Sequence, residues 1–140
     1  MATYVLAILR RAVRQDAAGR CAYCLTSERL VGLAHEIEHV VPEAAGGTTE
    51  RDNLCLACRR CNAFKARRID AVDPLSQNTV ALFHPRQMVW NEHFRWDFGG
   101  TRVIGRTPTG RATVEALQLN HPLILQARIL WVRAGLHPPK

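Results

Sequence analysis

No apolar run in this 140-residue sequence approaches the ~18 residues that a membrane-spanning helix needs, so no membrane segment is expected. The start, "MATYVLAILRR", carries no basic residue ahead of its short apolar patch and no recognisable cleavage site. It reads as no signal peptide, which makes the cytoplasm the expected address. An internal repeat and a low-complexity tract are also lacking. Acidic residues are in deficit, 12 against 19 Lys and Arg, giving a net charge of +7. That excess points toward a polyanionic partner, although charge alone does not separate nucleic acid from a solvated surface. The cysteine count is five, and an odd number does not favour a secreted disulfide framework. What remains is ordinary for a globular chain, 47% hydrophobic and 22% charged, and its length fits one domain with room for a small lobe.

Periodicity predicts a helix over 4–18, with Leu6, Leu9 and Val13 at helical spacing and Gly19 as its stop. The Val, Ile and Leu content from Leu30 to Val41 suits a β-hairpin ending at Pro42. A loop follows, in which Gly46 and Gly47 are expected to supply positive φ angles. Residues 59–68 lack Gly and Pro and favour a helix, after which "DAVDPLSQN" punctuates. Short strands are expected around Ala81–Phe83, Val89–Trp90 and Phe94–Asp97, with Gly99-Gly100 turning into "TRVIG". Thr107 is placed to cap a helix running to about Leu117, and Asn120 with Pro122 to start a last one that stops at Gly135. Trp90, Trp96 and Trp131 are expected in the core of this half, and Pro138-Pro139 as a frayed tail.

Four of the five cysteines fall into two Cys-x-x-Cys pairs, Cys21 with Cys24 and Cys58 with Cys61, separated by thirty-three residues. Two residues between thiolates let each pair occupy two corners of a tetrahedron, and two pairs close a four-sulfur structural zinc site. Cys55 lies outside the pattern and is expected to be a small buried hydrophobe. The spacer is longer than a simple ribbon loop, so the zinc pins the ends of a folded excursion.

That excursion holds "IEHVVPEAAGG" and "DNLCLAC", followed by "CNAFK". In order these give an acid-His pair, an apolar pair and Pro, Gly-Gly, Asn-Leu, then Cys-x-x-Cys-Asn with Lys65 three residues on. Over residues 21–68 the chain resembles the HNH endonucleases. "FRWDFGG" and "GRTPTGRATVEALQLNHP" also resemble the C-terminal part of small stand-alone bacterial members. The resemblance implies an α+β fold, in which a ββα-metal core is clamped by the four-cysteine zinc. An N-terminal helix precedes this core and a C-terminal hairpin-plus-helices extension follows. Residues 1–70 would form the core and 71–140 an extension packed on it as a single compact domain.

By the same resemblance His39 is the general base that deprotonates the attacking water, a task suited to an imidazole. Asn62 would bind a catalytic divalent cation through its amide oxygen, with Glu38 as a further ligand where most members have aspartate. Asn53 would stay off the cation and tie the loop down through backbone hydrogen bonds. Oxygen ligands favour Mg or Mn there. Glu38 and His39 are neighbours, and neighbours on a regular strand face opposite ways, so the strand is expected to bend or end beside Pro42. Arg59, Arg60, Lys65, Arg67 and Arg68 crowd the helix and are expected to meet DNA phosphates. His35 is expected to be a hydrogen-bonded histidine, and His84 and His93 to be packing or surface residues.

The function expected is hydrolysis of DNA phosphodiesters by a monomer or homodimer, leaving 5′-phosphate and 3′-hydroxyl ends. A zinc-stabilised DNA-binding module without turnover is the alternative. A protein-interaction or toxin-type module, whose C-terminal half recruits a partner, is a second.

Overall fold

The computed structural model describes residues 4–140 and shows an α+β chain with three two-stranded antiparallel sheets. The chain divides into two units. One runs up to Ile69 and takes in His84–Met88, and the other is Asp70–Phe83 with Val89–Lys140. No helix among the described residues is long and apolar enough to cross a membrane.

The first unit begins with α1 (Ala7–Asp16), shorter than the periodic stretch because Leu6 is extended and Ala18 and Gly19 turn to positive φ. Val13 of this helix forms a small core with Val5 and Leu54, against which Leu9 and Ile37 pack. At its end Asp16 receives Arg51 at 2.6 and 2.8 Å and Arg86 at 2.8 Å. These guanidiniums hold its carboxyl well below the usual carboxylate range. Arg86 also donates to the carbonyl of Leu54 at 2.7 Å, which fastens the 84–88 segment to this unit.

The expected hairpin over 30–41 is replaced by a one-turn helix, α2 (Glu28–Val31), a bend, and a single strand, β1 (Glu36–His39). Capping decides this. Ser27 accepts from the Arg29 amide and Gly32 closes the turn at φ +67°. The Glu28 carboxylate then takes the amide of His35 at 2.7 Å. Apolar Val31 and Leu33 are left exposed. The partner of β1 is β2 (Leu54–Ala57), with Glu36 opposite Ala57, Glu38 opposite Cys55 and His39 opposite Leu54. Next comes α3 (Arg59–Lys65), capped by the Cys58 sulfur and ended at Ala66, where φ is +52°. Arg67 and Arg68 therefore lie beyond the helix expected to contain them.

Between β1 and β2 the loop folds on Asn53 and Gly47. Gly46 has the positive φ expected of it, at +90°, but Gly47 is required for a different reason. A Cβ there would stand 1.7 Å from the carbonyl oxygen of Val41 and 2.8 Å from Nδ2 of Asn53.

In the second unit β3 (Asp70–Val72) pairs with β4 (Thr79–Ala81), so the segment read as punctuation contains a strand. Their connection is held by Asp73, which accepts from the Ser76 hydroxyl at 2.8 Å and from Arg111 at 2.9 and 3.0 Å. A short helix, α4 (Trp90–His93), stands where a strand was expected, and β5 (Phe94–Asp97) pairs with β6 (Arg102–Gly105) through the glycine turn. Thr107 caps α5 (Pro108–Ala116), and His121, not Asn120, caps α6 (Pro122–Arg133). Asn120 instead exchanges two hydrogen bonds with the backbone of Val103, at 2.8 and 2.9 Å. The tail is packed and not frayed: His137 is buried, its ring edge-on to Trp96 at 4.5 Å, and Pro138 lies against Gly100. The three tryptophans are half-buried around this cluster.

Candidate active site

The ligand atoms of Cys21, Cys24, Cys58 and Cys61 all lie within 4.8 Å of one another. Cys24 Sγ and Cys58 Sγ are 3.7 Å apart. A tetrahedron with metal–sulfur bonds of ~2.3 Å has edges of about 3.8 Å, so this pair stands at the edge length zinc requires and all four sulfurs lie close enough to share one ion. The first pair sits in a turn closed by the Leu25 amide on the Cys21 carbonyl, and the Ala22 amide ties that turn to Leu56 of β2. The second pair is the first turn of α3. Burial pushes the Cys21 thiol up, while hydrogen bonds from the neighbouring sulfurs pull Cys24 down. Four crowded thiols cannot all ionise without a compensating cation, and an all-sulfur set suits zinc.

Beside this clamp a cavity of about 520 Å³ opens, and Glu38, His39, Pro42, Glu43, Asn62 and Arg67 are among the residues that line it. Neighbours Glu38 and His39 reach one cavity because β1 ends at His39 and the chain bends through Val40 and Val41. His39 Nε2 lies 2.9 Å from the Thr49 hydroxyl and 3.6 Å from a Glu43 oxygen.

Asn53 is buried behind the loop. Its Oδ1 accepts from the Val41 amide at 2.9 Å, and its Nδ2 donates to the carbonyls of Val41 and Thr48 at 2.9 and 2.8 Å. Asn53→Ala should remove all three bonds and strand the Val41 amide, costing about 2–3 kcal/mol in denaturant unfolding. An unchanged midpoint would show that the loop does not depend on it.

On the other side, α3 faces the edge of β1 that carries Glu36 and Glu38. The Asn62 amide donates to Glu36, and one helical turn on the Lys65 ammonium sits 2.8 Å from Glu38 Oε1. Lys65 also donates to the Val40 carbonyl at 2.9 Å and is 1% exposed. The lysine expected at a phosphate is thus turned inward with Cys61, four residues before it. Burial pushes the Glu38 carboxyl above its ordinary range while Lys65 pulls the other way. Beneath them Cys55 donates to Glu38 at 3.4 Å, so this sulfur has a polar neighbour as well as an apolar setting. Lys65→Met would leave Glu38 buried without its counter-charge. A loss of about 3 kcal/mol is expected, smaller in the double variant Glu38→Gln/Lys65→Met, as chemical denaturation would measure.

Of the remaining cations expected at DNA, Arg67 lines the cavity, Arg59 is exposed with its Nε 3.7 Å from Glu36, and Arg60 is half-buried. Arg68 is exposed and donates back to the carbonyls of Phe64 and Lys65. His35 is buried and donates through Nε2 to the Thr26 carbonyl at 2.8 Å. His84 accepts from the Arg86 amide, and burial lowers its pKa. His93 belongs to the second unit and bonds the Thr107 hydroxyl at 2.7 Å. Thr49, Glu43 and Glu36 were not singled out from sequence. For Glu43 the spacing His39-x-x-x-Glu43 was a usable signal, whereas Thr49 had none.

Glu38 and Asn62 line one cavity, and a carboxylate and a primary amide carry the hard oxygen donors that a magnesium-like cation takes, so the residues fit such an ion. No curated protein and no solved structure matches the chain. The HNH endonuclease family model matches residues 21–68, the span from the first zinc-knuckle cysteine to just past α3. Over residues 21–68 the chain therefore matches the HNH endonuclease domain, its β1, β2 and α3 fit a ββα-metal core, and four cysteines are positioned to bind a metal ion.

Proposed function

We propose that the chain is a metal-dependent endonuclease that hydrolyses DNA phosphodiester bonds. The observation that carries this reading is that His39, Glu38 and Asn62 line one and the same cavity. In the tautomer with its proton on Nε2, His39 donates to Thr49, and Nδ1 keeps the lone pair that takes a proton from the attacking water. Asn53 fixes the loop that carries His39 and Thr49. Asn62 and Glu38 are the residues that would hold Mg or Mn, with Lys65 as the counter-charge beside the buried Glu38. When bound, such a cation stabilises negative charge on the phosphate and on the leaving 3′ oxygen. The zinc at the cysteines is structural, since four sulfurs leave it no open position. Arg67 and the exposed Arg59 and Arg68 hold the DNA backbone on either side of the scissile bond.

Supercoiled plasmid incubated with the zinc-loaded protein and Mg²⁺ or Mn²⁺ tests this. Cation-dependent conversion to open circle or linear DNA is expected, and the ratio of the two reports whether one or both strands are cut. Tight plasmid binding without any cutting would favour the zinc-stabilised binding module instead. In either case affinity should fall by about 0.9 log units per log unit of salt for each phosphate contacted.

A further inference from the structure

We propose that Glu36 decides which end of the Asn62 side chain faces the cavity, which makes it a positioning residue for the cation. This rests on the nuclease reading above. Glu36 and Glu38 are two apart on β1 and share a strand face, while Asn62 and Lys65 are three apart on α3 and share a helix face. The two elements meet in two rungs, Asn62 on Glu36 and Lys65 on Glu38. The rungs are chemically unlike. Lys65 offers its partner a charge, whereas Asn62 offers its partner one of two ends.

A primary amide donates from nitrogen and accepts at oxygen, and it rotates between the two presentations at little cost. An ionised carboxylate can only accept. Glu36 therefore draws the NH₂ group to itself and sends Oδ1 the opposite way. Asn62 lines the cavity and Glu36 is not among its lining residues, so the opposite way is toward the cavity. Only that oxygen can ligate a hard cation, and an amide nitrogen turned inward would present two hydrogens to it. The remaining Glu36 oxygen lies 3.7 Å from Arg59 Nε, so the carboxylate is held from both sides.

The test is a Mn²⁺ titration of the zinc-loaded full chain, read by paramagnetic resonance of free Mn²⁺, with plasmid nicking alongside. Glu36→Gln is a nearly isosteric change at a half-exposed position, yet the new amide can donate to Asn62 Oδ1 and pull the oxygen out of the cavity. It should weaken Mn²⁺ binding by about tenfold and shift the Asn62 side-chain amide signals in ¹H–¹⁵N spectra recorded without divalent cation. The double variant Glu36→Gln/Asn62→Asp reverses the donor. The introduced glutamine then donates to a carboxylate that keeps an oxygen toward the cavity, and Mn²⁺ affinity should return. If Glu36→Gln binds Mn²⁺ as wild type does, or if the double variant stays as weak as the single one, the inference is overturned while the nuclease reading stands. Should wild type neither bind Mn²⁺ nor nick, the nuclease reading falls and takes this inference with it.

Discussion

Stripping the metal from the four-cysteine cluster, by a strong chelator or by Cys61→Ser, should unfold the first unit. A structural zinc contributes an apparent ~10–16 kcal/mol at neutral pH, comparable to the ~5–15 kcal/mol stability of a whole domain. The geometry says why little would survive. Cys58 and Cys61 are the first turn of α3, and the turn at Cys21–Cys24 is bonded to β2 through Ala22 and Leu56. Without the metal four crowded thiols, three of them buried, replace one compact charge-balanced centre, and the apolar cluster that α1 contributes to is small, Val5, Val13 and Leu54 with two partly buried neighbours. Zinc analysis should return one ion per chain for wild type and for Cys55→Ala, because Cys55 lies outside the cluster. Limited proteolysis should then cut the chelated protein between residues 21 and 68. A Cys61→Ser protein that kept its zinc and its melting curve would remove the cluster from the account of the fold.

His39→Ala should lower the nicking rate by about 10²- to 10⁴-fold, the usual worth of a positioned general base. Stability should change little, since the contacts found for the imidazole are with Thr49 and the exposed Glu43. This separates it from Asn53→Ala, where lost activity would accompany lost stability. Thr49→Val should fall between wild type and His39→Ala, because it removes the hydroxyl that holds the imidazole in place but leaves the base. Equal rates for wild type and His39→Ala, measured on protein freed of contaminating nuclease, would reject His39 as the base.

The zinc set was legible in the sequence because Cys-x-x-Cys spacing constrains geometry locally, and the strand–helix order around it followed from the ordered HNH-like residues. Elsewhere local chemistry misled. Leu30–Leu33 has a strand's composition, but a Ser27 cap and Gly32 made it a helical turn, which apolar content cannot signal. Lys65 read as a phosphate contact because it stands in a basic cluster with Arg59, Arg60, Arg67 and Arg68, whereas the partner that buries it, Glu38, lies on another element. Gly47 looked like a φ requirement and proved to be a clearance requirement, visible only once Val41 and Asn53 were in place. The pairing of Glu36 with Asn62 crosses twenty-six residues and carries no local mark.

The return of His84–Met88 to the first unit bears on how the protein can be dissected. A fragment cut near residue 70 would keep every residue of the matched HNH span and still lose Arg86, with its bonds to Asp16 and to Leu54 at the start of β2. The unit that holds the HNH span is therefore not a contiguous cassette. The polypeptide passes from one unit to the other three times, and a graft of the first unit into another protein would have to carry the stitch along with the cloth.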